Sequence, residues 1–214
     1  MTTFAERHAP KNLNDLVFAD KATRQRIDDY ANGTCDGHIL LHGPFGTGKS
    51  TVARMIAEQR LQAFPNAGPE VLHASDITKA KMETIRNRLG NGWNTMIGVG
   101  RAMTLIDEID QVAKPEQHSL RSVLDGCIND QSYIFTTNEL HNVDGGLANR
   151  CDVIELPSID PVHWRSRADQ ILKVEGVVLA PGDLKKLLAL SGSSIRDLMR
   201  LLEEQVIAFK QNPA

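Results

Sequence analysis

The sequence predicts an α/β fold: a five-stranded parallel sheet flanked by helices, followed by a small all-α unit of three helices. Three observations predict it. Five short apolar runs are separated by stretches long enough for helices, the alternation of a helix-covered parallel sheet. The first of these runs leads into a glycine-rich turn and then into a helix-friendly segment. After residue 158 the pattern becomes amphipathic and helical, without further strand signals.

The elements follow in order. Asp20 is placed to cap a helix running toward Gly33. The expected strands are Ile39 to Leu41, Val71 to His73, Met103 to Ile106, Tyr133 to Thr136 and Val153 to Leu156. A helix is expected from Lys49 to about Arg60, with Val52, Met55 and Ile56 on one face. Four glycines between Gly90 and Gly100 suggest a mobile loop. Pro157-Ser-Ile-Asp-Pro161 closes the last strand, with Asp160 as N-cap and Pro161 at the first helical position. Three helices are then expected: Pro161 to Val174, Pro181 to Leu190 and Ser194 to Lys210, the last with Ile195, Leu198 and Leu202 on one face. The boundary between a core (1–158) and a helical lid (159–214) falls at this change of texture.

The chain has 214 residues, 41% hydrophobic and 24% charged, ordinary values for a soluble globular protein. No apolar run approaches the roughly 20 residues that span a bilayer, and the N-terminus lacks the apolar stretch of a signal peptide, so neither membrane nor export is expected. Cys35, Cys127 and Cys151 are scattered, which favours free thiols and the cytoplasm. A net charge of −3 argues against a dedicated basic nucleic-acid module while leaving room for a local cationic stripe.

Gly43-Pro44-Phe45-Gly46-Thr47-Gly48-Lys49-Ser50 follows the first strand and opens the first helix of the sheet. In that context glycines let backbone N–H groups turn toward phosphates, Lys49 reaches the β and γ phosphates, and the Ser50 hydroxyl ligates magnesium. ATP and Mg²⁺ are the expected cofactors, with Thr51 closing the loop. The run Met103 to Ile106 ends in Asp107 and Glu108, at the sheet edge that faces the same crevice. Asp107 is placed to hold the magnesium, and Glu108 to polarise a water for attack on the γ phosphate. The next strand ends in Thr137 and Asn138; the residues alone leave Asn138 either a turn residue or a group that orients the water. Arg150 and Arg196 read equally as solvated surface charges.

Taken together, Gly43 to Ser50, Leu105-Ile-Asp-Glu-Ile-Asp110, the strand ending in Asn138, Leu147-Ala-Asn-Arg150 and Gly192-Ser-Ser-Ile-Arg196 resemble the successive motifs of an AAA+ ATPase. The narrower resemblance is to clamp-loader subunits, those of replication factor C and of bacteriophage replisomes. It is carried by Ala9-Pro-Lys-Asn-Leu-Asn-Asp, His73-Ala-Ser-Asp76 and Gln117-His-Ser-Leu-Arg121, and it runs from about residue 8 to 203. Phe45 and Asn149 stand where the family usually has Pro and Ser. The family's subunits continue into a helical collar, which this chain is expected to lack.

The resemblance implies that Asn138 and Arg196 are the two nucleotide sensors and that Arg150 is the arginine finger acting on ATP in a neighbouring subunit. It implies that Val17 and Phe18 flank the adenine, and that Gln117 and Arg121 link nucleotide to ring interior. Lys79, Lys81 and Arg121 would contact duplex phosphates, a role the residues alone leave open against ordinary solvated cations. The implied partners are a homo- or hetero-oligomeric ring, DNA, and a sliding clamp or helicase. Two alternatives stand beside clamp loading: a helicase loader or recombination remodeller, and a nucleotide-gated scaffold with little turnover. A substrate-threading unfoldase would place an aromatic loop after the second strand, where Trp93 is the nearest substitute.

Overall fold

The computed structural model describes residues 2–64, 68–89, 102–127, 131–192 and 194–211. The expected glycine-rich loop, with Trp93, lies outside the described residues. Five strands, β1 (His38–His42), β2 (Glu70–His73), β3 (Ala102–Asp107), β4 (Gln131–Thr137) and β5 (Cys151–Glu155), form one sheet in the order β2-β3-β4-β1-β5. Every pairing is parallel. β4 is buried along its whole length and β1 along all but its last residue, which is why their centres, Tyr133–Phe135 and Ile39–Leu41, read as apolar runs rather than alternations. β5 begins two residues earlier than expected, because Cys151 and Asp152 pair with His38 and Ile39 of β1.

Among the described residues the α-helices are α1 (Phe4–Arg7), α2 (Lys21–Asn32), α3 (Lys49–Leu61), α4 (Lys79–Leu89), α5 (Lys114–Cys127), α6 (Gly145–Ala148), α7 (Arg165–Val174), α8 (Pro181–Leu190) and α9 (Ile195–Gln211). The helix expected from Pro161 starts instead as a 3₁₀ turn, Pro161–Trp164, with Asp160 capping Val162 N at 2.9 Å. The α-helical ladder sets in only at Arg165. The short α1 was not expected, although Thr3 and Glu6 form a capping box whose spacing is legible in the sequence.

The chain divides into two compact units. One comprises Ala22–Pro44 and Lys49–Leu156 and contains the sheet; its core gathers Leu40, Ile106, Leu120, Leu124, Tyr133 and Phe135. The other comprises Met1–Lys21, Phe45–Gly48 and Pro157–Ala214, with a core of Ile171, Leu172, Leu184, Leu188, Leu198 and Leu202. A single cut at residue 158 therefore does not describe the grouping. Phe4 is 3% exposed within the helical core, and that burial draws the N-terminal segment into the lid unit.

Candidate functional site

In the sheet unit, β3, β4 and β1 are neighbours, so their carboxyl ends open onto one edge. This is where strand order reverses and where open parallel sheets hold ligands. β1 delivers Gly43, whose φ is 148° and whose missing Cβ would sit 2.1 Å from the Leu156 carbonyl oxygen. No side chain fits there. Gly46 and Gly48 also hold positive φ, of 78° and 86°, so the loop follows a path favoured by glycine.

Lys49 begins α3 and is 7% exposed. Its Nζ donates to the carbonyls of Gly43 at 2.9 Å and Pro44 at 2.7 Å. Burial pulls its pKa down, opposed by the negative charges of Asp110, Glu108 and Asp107. A buried ammonium held by two neutral carbonyls beside the amino end of a 13-residue helix is suited to a phosphate anion. Ser50 and Thr51 follow, both exposed.

Asp107 ends β3 and is half-buried; its Oδ1 accepts from the Thr136 hydroxyl at 2.9 Å. Glu108 stands in the left-handed region (φ 59°, ψ 49°), the one non-glycine with positive φ among the described residues. Its N–H donates to Thr136 Oγ1 at 3.2 Å, and its carboxylate accepts from Gln111 Nε2 at 3.0 Å. One residue along β4, the Thr137 hydroxyl donates to Asp110 Oδ1 at 2.6 Å and accepts from Glu139 N at 3.0 Å. Asn138 lies between them, half-buried, directly after β4. The donor set of Ser50 hydroxyl and Asp107 carboxylate is an all-oxygen one that suits magnesium, and the glycine path with buried Lys49 suits the phosphates of ATP.

Several of the other expected site residues have firm local partners. Arg150, just before β5, forms a two-pronged ion pair with Asp125 at 2.7 and 2.8 Å and donates to Gly146 O at 2.8 Å. Arg121 is paired in the same way with Asp144, whose carboxyl it draws down to about 2 with help from the Leu147 N–H. Lys81 is paired with Glu70 at 2.7 Å, while Lys79 is exposed at the start of α4. Lys81 and Arg121, expected as phosphate contacts, are thus each held by a carboxylate. Gln117 is fully buried: its Nε2 donates to Ile109 O and Val112 O, and its Oε1 accepts from Asp144 N.

In the lid unit, Arg196 is exposed at the second position of α9, and the Ile195 N–H donates to Gly46 O at 3.1 Å. Val17 and Phe18 are half-buried in the N-terminal segment, and Phe45 is 70% exposed. Sequence reasoning missed Thr136 and Thr137. Two hydroxyls directly after the apolar run Tyr133–Phe135, in a wholly buried strand, were the available signal.

The family described as "ATPase family associated with various cellular activities (AAA)" matches residues 39–158, more than half of the chain. The chain belongs to this AAA family. The AAA protein is 25% identical over 213 residues to replication factor C subunit 3 of Oryza sativa subsp. japonica, covering 97% of this chain and 58% of that subunit. It is 24% identical over 201 residues to replication factor C small subunit 1 of Pyrobaculum arsenaticum, covering 92% and 60%. The chain thus spans about three fifths of the length of these relatives. Among solved structures, a variant of RuvB from Thermotoga maritima aligns with a TM-score of 0.77 at 19% identity, over 99% of this chain and 68% of that one. Domain III of the replication initiation protein DnaA from the same organism aligns at 0.69 and 15%, over 94% and 89%. These structures share the fold. No helix among the described residues is long and apolar enough to cross a membrane.

Proposed function

We propose that this AAA protein binds and hydrolyses ATP as one subunit of a clamp-loader-type oligomer acting on DNA in replication. The ATPase part rests on one observation: three adjacent strand ends bring Lys49, the Asp107-Glu108 pair and Thr136-Thr137-Asn138 to one edge of the sheet. The clamp-loader part is supported by similarity to replication factor C subunits over 92 to 97% of the chain.

Each residue has a distinct task in this reading. Gly43 to Gly48 present backbone N–H groups to the phosphates, and Lys49 supplies the compensating charge. Bound magnesium would neutralise charge that develops on the phosphates, and Ser50 and Asp107 are the residues to hold it. Glu108 polarises the attacking water and Asn138 orients it. Arg196 reads the bound nucleotide from α9, while Val17 and Phe18 flank the base. Arg150 serves the ATP of a neighbouring subunit, where a cation at the γ phosphate is worth about 10³ to 10⁵ in rate. Lys79 is the foremost candidate for a duplex phosphate, since Lys81 and Arg121 have carboxylates to leave first.

ATP turnover with and without primed duplex DNA tests both parts. The parent is expected to hydrolyse ATP faster with primed DNA, with the stimulation falling steeply between roughly 50 and 200 mM salt. Glu108→Gln should still bind nucleotide and turn over at least ~100-fold more slowly. Parental turnover by Glu108→Gln would remove Glu108 from the mechanism. Absence of any DNA effect at low salt would remove the DNA-acting part.

A further inference from the structure

We propose that Thr136 is a positioning residue for the hydrolytic site: its single hydroxyl sets both the orientation of Asp107 and the backbone conformation of Glu108. The inference rests on the ATPase reading above and adds a residue that neither the phosphate loop nor the acidic motif contains.

The argument starts from the sheet register. The β3–β4 ladder runs as far as Ile106 opposite Phe135, and on its other side Thr136 pairs with Leu41 of β1. The position is 3% exposed in a strand whose neighbours are Ile134 and Phe135, so an apolar β-branched side chain would fit it. A hydroxyl buried there costs free energy unless its hydrogen-bonding capacity is used. Thr136 uses both functions. It donates to Asp107 Oδ1 at 2.9 Å and accepts from Glu108 N at 3.2 Å, so the hydroxyl hydrogen has one direction and the lone pair another.

Two consequences follow at atoms that matter. Asp107 has one carboxylate oxygen engaged by a fixed donor, which limits rotation of the group and leaves Oδ2 for a cation. Glu108 is held at φ 59°, a conformation unfavourable for a residue with a Cβ, by a bond to its own N–H. Such strain persists only where surrounding groups over-determine it, and it occurs mostly at functional sites. A left-handed residue immediately after a strand redirects its side chain relative to the strand's alternation, so the hydroxyl governs where the Glu108 carboxylate is carried.

Thr136→Val keeps shape and β-branching and removes only the hydroxyl; Thr136→Ser keeps the hydroxyl and removes a methyl. Three quantities are measured in the full chain: steady-state ATP turnover, affinity for a fluorescent ATP analogue with and without Mg²⁺, and melting temperature. The expected result for Thr136→Val is a kcat about 10 to 100-fold lower and a smaller gain in nucleotide affinity on adding Mg²⁺. Its metal-free affinity should stay within about twofold of the parent, and Thr136→Ser should recover to within about threefold. Parental turnover and metal response in Thr136→Val would overturn the proposal, as would a Thr136→Ser variant as impaired as the valine, which would make packing the cause. The metal-dependent affinity is read without turnover. A parent that binds but does not hydrolyse would therefore overturn the ATPase reading, while the two variants would still decide the role of Thr136.

Discussion

Gly43 shows how much a single atom can decide. The chain leaves β1 there, and Leu156 N donates back to His42 O at 2.7 Å, so the backbone after β5 lies against the turn. A Cβ at 2.1 Å from the Leu156 carbonyl oxygen is far inside van der Waals contact, and φ 148° adds strain for any L side chain. Because the obstacle is backbone, no rotamer change relieves it. Gly43→Ala is therefore expected to destabilise the fold by about 3 kcal/mol, read as a shift in denaturant midpoint with unchanged slope. A shift below about 1 kcal/mol would mean that Leu156 can move, and that the glycine is there for the ligand rather than for packing. The sequence marks Gly43 as the first position of a phosphate-loop pattern, yet it cannot say that the close neighbour is the backbone of a residue more than a hundred positions later. The same limit hid Thr136, whose partners Asp107 and Glu108 sit on a different strand end.

At the scale of elements, strands and long helices were legible because burial on both faces and amphipathic spacing leave marks on sequence. The connections between elements were not. Gln117 reads as one polar residue in α5, and the resemblance placed it between nucleotide and ring interior. In the fold its amide ties α5 to two carbonyls of the turn after β3, at Ile109 (3.1 Å) and Val112 (2.7 Å), and to the N–H of Asp144 (2.7 Å), the N-cap of α6. Asp144 then gathers Arg121 and the Leu147 N–H, so one buried amide joins the acidic turn, α5 and α6. Replacing it with leucine strands two backbone polar groups in the core, the Val112 carbonyl and the Asp144 N–H, each costing about 1 to 3 kcal/mol when unpaired, while Ile109 O keeps the Val112 N–H. Gln117→Leu should lose about 3 to 5 kcal/mol in chemical denaturation, whereas a Leu120→Met substitution in the same helix should stay below ~1.5 kcal/mol. Equal costs for the two would show that the amide contributes no more than volume.

At the scale of the molecule, grouping follows burial and ion pairs rather than position along the chain. Glu175, after α7, is 10% exposed at its side chain and accepts from Lys210 Nζ at 2.6 Å, His8 Nε2 at 2.8 Å and Arg7 at 3.1 Å. One carboxylate thus joins the N-terminal segment, the end of α7 and the last turn of α9 within the lid unit. Sequence showed these as ordinary charges, with Glu175 set 35 positions from Lys210 and 168 from Arg7. Hydrogen bonds from Lys210 and His8, with a smaller one from Arg7, hold the Glu175 carboxyl well below its usual range, at about 2. A carboxylate depressed on folding stabilises the native state above its unfolded value, and that contribution fades as pH falls through the interval down to the folded value. The sign is therefore loss in acid: full stabilisation near neutrality, decline from about pH 4.5 toward 2. Glu175→Gln, which keeps size and removes charge, should lower the melting temperature at pH 7 by roughly 4 °C. The gap between parent and variant should narrow steadily below pH 4.5, as protonation makes the parent resemble its own amide. Thermal melts of both proteins from pH 7 to pH 2 read this directly. A gap that stays constant across that range would mean that Glu175 holds the N-terminal segment by shape and hydrogen bonding, with no part played by its charge.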